Sequence, residues 1–209
     1  MFTNLTPVEW VFVLASLIIS LVIHEFMHAY AAHLLGDTTA QDMGRLSLNP
    51  LDHIDPFMTV ILPIITLLVF HFPVLAAKPV PFNPDRVKFD EFGAAIIAFA
   101  GPLSNFVLAF IGALIIGHVR LDPTVGTIVL DFIYLNVVLF VFNLIPIPPL
   151  DGSRILYAFA PEALQDFMRS IEPYGLFIVF FLVFVGGLQG ILGNSIQFVI
   201  NLLPGGGII

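Results

Sequence analysis

Long apolar runs alternate along the chain with short segments where proline, glycine and charge collect. The first run covers residues 7–35, where Pro7 and Glu9 suit a helix start and Gly36-Asp37 a stop. It exceeds the ~20 residues that span a bilayer. A mixed loop over 37–55 leads to a shorter apolar run, 57–69, and then to a proline-rich segment, 72–86. The third run, 92–119, is rich in small residues (Gly93, Ala94, Ala95, Ala98, Ala100, Gly101), which let helices approach closely in lipid. Pro102 predicts a kink within it. The fourth run, 125–143, ends in the helix-breaking segment 144–152. An amphipathic stretch, 154–172, separates it from a last run, 174–203, which Gly186-Gly187 interrupts. The pattern predicts an all-α polytopic membrane protein with about four to six transmembrane helices and no internal repeat.

Composition supports lipid as the solvent. Hydrophobic residues make up 58% of the 209 positions and charged residues 11%, and the mean hydropathy is +1.02. A soluble domain is nearer a quarter charged, so this chain has too little charge to cover a soluble surface. The net charge of −8 argues against a nucleic-acid partner. With no cysteine, disulfides and thiolate metal sites are excluded, and any metal must be held by His, Asp or Glu.

The first run carries His24-Glu25-Phe26-Met27-His28, an HExxH pattern. Residues four apart share a helix face, so both imidazoles reach one ion, and Glu25 stands beside them as a general base acting on water. Three fixed positions arise by chance in soluble proteins. In a membrane helix each ionised side chain costs about 2.5–3.5 kcal/mol on insertion scales, so the cluster needs a compensating reason, and a metal supplies one. His33, five residues beyond His28, points elsewhere and reads as interfacial. His53 and His71 lie in or near loops and read as bystanders.

A catalytic zinc takes three protein ligands and leaves one open position. Asp151 is the leading third ligand, since unwound backbone at membrane depth occurs only around protein or a water-filled cavity. An ordinary Asp-Gly turn is the plain alternative, and Asp131 is the rival acid. The histidines and Asp151 share a bilayer face only if an even number of crossings separates them. The run 57–69 is therefore expected to be re-entrant or interfacial, as its length suggests. Arg45, Lys78, Arg86, Lys88, Arg154 and Arg169 then fall on one side and Arg120 on the other, six against one of the 7 basic residues. The positive-inside rule makes the rich side cytoplasmic, with the N-terminus outside. If 57–69 spans, the split is five against two and the ligands part. Asn136 and Asn143 lie two turns apart on one face. Asn143 is placed either to donate a hydrogen bond to an oxyanion or to act as interhelical glue, and Asn105 reads as glue.

Taken together, these residues resemble the site-2 proteases, zinc metalloproteases that work inside the membrane. The likeness rests on the HExxH helix, on the Asn143-to-Gly152 segment, similar to the family's Asn…Pro-x-x-Asp-Gly segment, and on Gly101-Pro102-Leu103-Ser104-Asn105. Gly44-to-Pro50 and Lys78-to-Pro84 further resemble a compact bacterial-type branch. The motifs cover about Leu21 to Leu156 in the family's order. The resemblance implies one Zn2+ per chain held by His24, His28 and Asp151, with Glu25 as base and Asn143 as a substrate or oxyanion contact. It implies that the two Asn-Pro segments flank the site as strand-like elements. The chain has room for neither the PDZ nor the CBS domain that many members carry, so 1–209 reads as a single membrane-embedded metalloprotease domain.

The implied activity is hydrolysis of peptide bonds within or near transmembrane helices of membrane-protein substrates, as in regulated intramembrane proteolysis. The implied place is the cell membrane, multi-pass, with the active site toward the cytoplasmic face. Two other classes use the same residues differently. A non-proteolytic metal carrier or sensor would need the ligands but not Glu25 as a base. An inactive helix-binding homologue would need neither.

Overall fold

The computed structural model describes residues 6–55, 61, 80–83 and 86–205. Among these residues, three helices are long and apolar enough to cross a membrane: α1 (Pro7–Leu34), α3 (Asp90–His118) and α4 (Pro123–Asn143). Local chemistry fixes their ends. Thr6 and Glu9 close a capping box over the start of α1, with Pro7 in the first turn. The Asp122 carboxylate accepts from the Thr124 N–H at 2.9 Å, and Pro123 opens α4 in the same way. The end of α1 is marked by Gly36 at φ +99°, a conformation that favours glycine.

A short helix, α2 (Thr39–Asp42), and a 3-10 turn at Pro50–His53 follow α1. The stretch around Asn49-Pro50 was expected to be strand-like. It is not: the Asn49 side chain accepts from the Leu51 N–H at 3.2 Å and caps the turn instead. No strand occurs among the described residues. The expected re-entrant run 57–69 falls, except for residue 61, outside them.

Two hydrogen bonds settle how α1 and α3 are related. The Lys88 N–H donates to the Leu35 carbonyl at 2.9 Å, and the Asn83 N–H to the Asp37 carboxylate at 2.6 Å. The chain therefore leaves α1 and enters α3 at the same end of the bundle. Helix α4 then runs back, so its C-terminus returns to that end. This is the even-crossing arrangement that the ligand argument requires.

After α4 come two short helices, α5 (Asp151–Phe159) and α6 (Glu162–Ile171), and a 3-10 turn at Glu172–Tyr174. The last apolar run forms two helices, α7 (Gly175–Phe184) and α8 (Gln189–Leu202), divided where Gly186 adopts φ +77°. Helix α3 lies at the centre, packed against α1, α4 and α5. Ala109 and Ala113 of α3, Ile133 and Val137 of α4 and Val199 and Ile200 of α8 make one buried apolar core. Val11, Ile19 and Ile111 face outward and are 48–64% exposed, which suits a lipid-facing surface.

Candidate metal centre

The site begins with the stripe of α1 that faces α3. His24, Glu25 and His28 are each buried, at 4%, 8% and 7% exposure. His24 lies ten residues before the end of α1 at Leu34, so the pair sits roughly 15 Å inside the helix at 1.5 Å per residue. The Nε2 atoms of His24 and His28 are 3.0 Å apart. Asp151 Oδ2 stands 3.2 Å from the first and 3.4 Å from the second.

These separations fit a metal. Tetrahedral ligation at the usual zinc–ligand distance of about 2.0–2.1 Å places ligand atoms about 3.3 Å apart. The tautomers fit as well. His28 Nδ1 pairs with the Ile97 carbonyl at 2.7 Å, and His24 Nδ1 with Asn105 Oδ1 at 2.6 Å. Each Nδ1 therefore donates, which leaves both Nε2 lone pairs pointing at the carboxylate. Three acceptors facing one another at such range repel unless a cation lies between them. Asp151 Oδ2 and Glu25 Oε2 are buried with no hydrogen-bond donor, which is costly unless a metal and its water are the intended partners. Among the described residues, His24, His28 and Asp151 are the one such cluster.

Asp151 reaches the histidines because the segment before it folds back tightly. It is the first residue of α5, and a Cβ on Gly152 would overlap the Leu144 carbonyl and lie 2.6 Å from that of Ile145. A Cβ on Gly175 would likewise overlap the Pro148 carbonyl, so α7 clamps the same segment from the other side. Ser153 Oγ–H closes the turn on the Leu150 carbonyl at 2.7 Å.

Helix α3 supplies the fourth wall. A Cβ on Gly101 would overlap His28 Nε2 and stand 2.7 Å from His24 Nε2, in the space an ion needs. Glycine is required here for room rather than for backbone freedom. Pro102 has no N–H, so the Ala98 carbonyl loses its usual helical donor just where His28 meets the neighbouring Ile97 carbonyl.

The other sequence candidates make different contacts. Asn143 donates through Nδ2 to the Leu139 carbonyl of its own helix at 3.0 Å. Asp131 lines a small cavity with Glu9, Val13 and Ser16 at the far end of α1, out of reach of the histidines. His53 is buried, with Nε2 at 2.7 Å from the Ser47 carbonyl and no partner on Nδ1. Asn105 is glue in one sense, since it ties α3 to α1 and α4, but it also holds a candidate ligand. The roles of Asn105 and of the Ile97 carbonyl were not read from the sequence. A backbone carbonyl has no residue-type signal, whereas Asn105 lay within the Gly101-to-Asn105 motif.

The family model described as Peptidase family M50 matches residues 121–186, a stretch that holds Asn143 and Asp151. A Bacillus subtilis protein named "Putative zinc metalloprotease YwhC" is 40% identical over 83% of this chain and 80% of its own length. Rip2 of Mycolicibacterium smegmatis, described in the same terms, is 30% identical over 86% of this chain and 69% of its own. A third relative of that description, MJ0611 of Methanocaldococcus jannaschii, is 34% identical over 46% of this chain and 49% of its own. No solved structure matches.

Proposed function

The chain belongs to peptidase family M50, the zinc metalloproteases of the site-2 type, and on that footing we propose that it cuts peptide bonds within or near the membrane-spanning helices of other proteins. The observation that carries this reading is the triangle of His24 Nε2, His28 Nε2 and Asp151 Oδ2 at 3.0–3.4 Å, with both histidines well inside a helix long enough to span. In this reading the three residues hold one zinc ion, and Glu25, buried beside them with a free carboxylate oxygen, is the general base.

Zinc bound there supplies a Lewis acid that polarises the scissile carbonyl and lowers the pKa of water. Glu25 takes one proton from the attacking water as its oxygen bonds to the carbonyl carbon. Glu25 returns that proton to the amine nitrogen as the C–N bond breaks. Asn143 is the candidate donor to the oxyanion, and for that its Nδ2 must leave the Leu139 carbonyl. A helical substrate hides its peptide bonds in its own hydrogen bonds, so it must unwind at the cut. The basic residues at the ligand-bearing end support a cytoplasmic side for that end under the positive-inside rule. The whole is read as one membrane-embedded domain.

The test is cleavage of model transmembrane helices by the purified protein in detergent with zinc. Wild type should cut, a chelator should stop it, and Glu25→Ala should bind zinc without cutting. Cleavage by Glu25→Ala at the wild-type rate would remove the role given to Glu25. Zinc binding with no cleavage of any helix by wild type would remove the proteolytic reading.

A further inference from the structure

A histidine ligand works only if the right nitrogen carries the hydrogen. His28 has its Nδ1 set directly by a backbone carbonyl, that of Ile97, which can only accept. His24 has no such anchor. Its Nδ1 meets Asn105, whose amide offers an oxygen on one side and an NH2 on the other. Rotated by half a turn, the amide would present donors to His24 and select the wrong tautomer. Something must fix the direction of that amide.

The fixing groups lie further out, in three side chains that are each 0% exposed: Ser20, Asn105 and Asn136. The Ser20 hydroxyl donates to the Ser16 carbonyl at 2.7 Å, so its hydrogen is spent. Its oxygen accepts from Asn136 Nδ2 at 2.9 Å. The second Nδ2 hydrogen of Asn136 goes to the Phe132 carbonyl, also at 2.9 Å. With both hydrogens committed, Asn136 turns Oδ1 toward Asn105 and accepts from its Nδ2 at 3.0 Å. The Ser20 carbonyl lies 3.4 Å from the same nitrogen. Asn105 is left with Oδ1 facing His24. The direction of the whole chain is imposed by the carbonyls of Ser16, Ser20 and Phe132, which cannot donate. Reversing any link would set oxygen against oxygen or N–H against N–H in a dry interior, at a cost of about 1–3 kcal/mol per unsatisfied group.

We propose that Ser20, Asn136 and Asn105 form a directed relay that holds His24 as its Nδ1–H tautomer, which makes Asn136 and Ser20 positioning residues for the metal although neither reaches it. The relay rests on the reading of His24 as a ligand. It assigns to α4 a part in metal binding beyond delivering the chain to Asp151. It also makes the two histidines unequal: a change at residue 136 acts on His24 and leaves the Ile97 anchor of His28 alone.

The test has two measurements on the full-length protein in detergent. The first is ring 15N NMR of zinc-free wild type, with His24 assigned from a His24→Gln sample. Both His24 and His28 should carry the hydrogen on Nδ1, and an Nε2–H signal for His24 overturns the relay with no variant needed. The second is zinc affinity, read by competition with a chromophoric chelator. Asn136→Leu should weaken binding about tenfold or more, while Asn136→Asp, which keeps an oxygen for Asn105, should stay within about threefold. Simple packing predicts the reverse order, because Asp adds a buried charge to a membrane helix. Wild-type affinity in Asn136→Leu, or Asn136→Asp binding as weakly as Asn136→Leu, overturns the proposal. Wild type that fails to bind zinc while showing Nδ1–H at His24 would strike the ligand assignment and leave the relay standing.

Discussion

Helix α3 comes unusually close to its neighbours at two glycines, Gly101 and Gly112, and the two contacts serve different ends. At Gly112 a Cβ would stand 2.7 Å from Cγ1 of Ile133, in a core made of Ala109, Ala113, Val137 and the last helix. At Gly101 a Cβ would meet the Nε2 atoms of both histidines. The first glycine makes room for a side chain that fills the space. The second keeps a space that three acceptor atoms surround. Small residues on a membrane helix thus announce a close approach, but what stands opposite decides whether the approach is packing or chemistry.

The comparison predicts its own sharpest test. Gly101→Ala should lower zinc affinity at least about 100-fold, since the added carbon lies among the candidate ligand atoms of a site that needs tetrahedral room. Proteolysis should vanish with it, while the far-UV circular dichroism shows the helices retained. A Gly101→Ala protein that binds zinc normally would break the distinction drawn between the two glycines.

Next in size is the proposed general base. Glu25→Ala should cost about 10²–10⁴-fold in kcat, the usual range for losing such a group, with zinc affinity within a few-fold of wild type. Gly101→Ala and Glu25→Ala therefore stop catalysis in separable ways, one by excluding the ion and the other by removing the proton acceptor. Equal zinc affinities in the two variants would show that the Gly101 interface does not hold the ion.

The sequence made the long helices legible because their ends carry local signals: Thr6-Pro7 with Glu9, Gly36, and Asp122-Pro123. It made the candidate ligand set legible because the HExxH spacing follows from helix geometry and Asp151 follows a helix-breaking segment at the end of an apolar run. Two features were out of reach. The function of Asn105 depends on which way its amide points, and that is set by Ser20 and Asn136 on two other helices. The resemblance implies a strand-like Asn49-Pro50 stretch, yet Asn49 caps a 3-10 turn through its side chain. Polar side chains competing with local backbone are hard to foresee from spacing alone.

A smaller loss is expected at Asn143. If its amide swings from the Leu139 carbonyl to an oxyanion, Asn143→Ala should lower kcat about 10²-fold with zinc affinity unchanged, as for other single oxyanion donors. If the amide only braces its own helix, the loss should be confined to a few-fold. Kinetics on a single helical substrate, with zinc affinity measured in parallel, separates the two.

The smallest effect on activity belongs to Gly112, and it completes the comparison. Gly112→Ala pushes a methyl group against Ile133 in a filled core, an overpacking that typically costs about 1–3 kcal/mol of stability. Zinc affinity and kcat should stay close to wild type, because the strain lies in the α3–α4 core, away from His24 and His28. Ile133→Ala alone should cost about 2–5 kcal/mol by opening a cavity. In the double variant the new methyl enters the space that Ile133 has left, so the combined loss should be less than the sum, measured by thermal or denaturant unfolding as a double-mutant cycle. No such rescue exists at Gly101, because the groups opposing its Cβ are the candidate ligands themselves. Additive losses at Gly112 and Ile133 would mean that the two do not share one space, and the packing half of the contrast would fall.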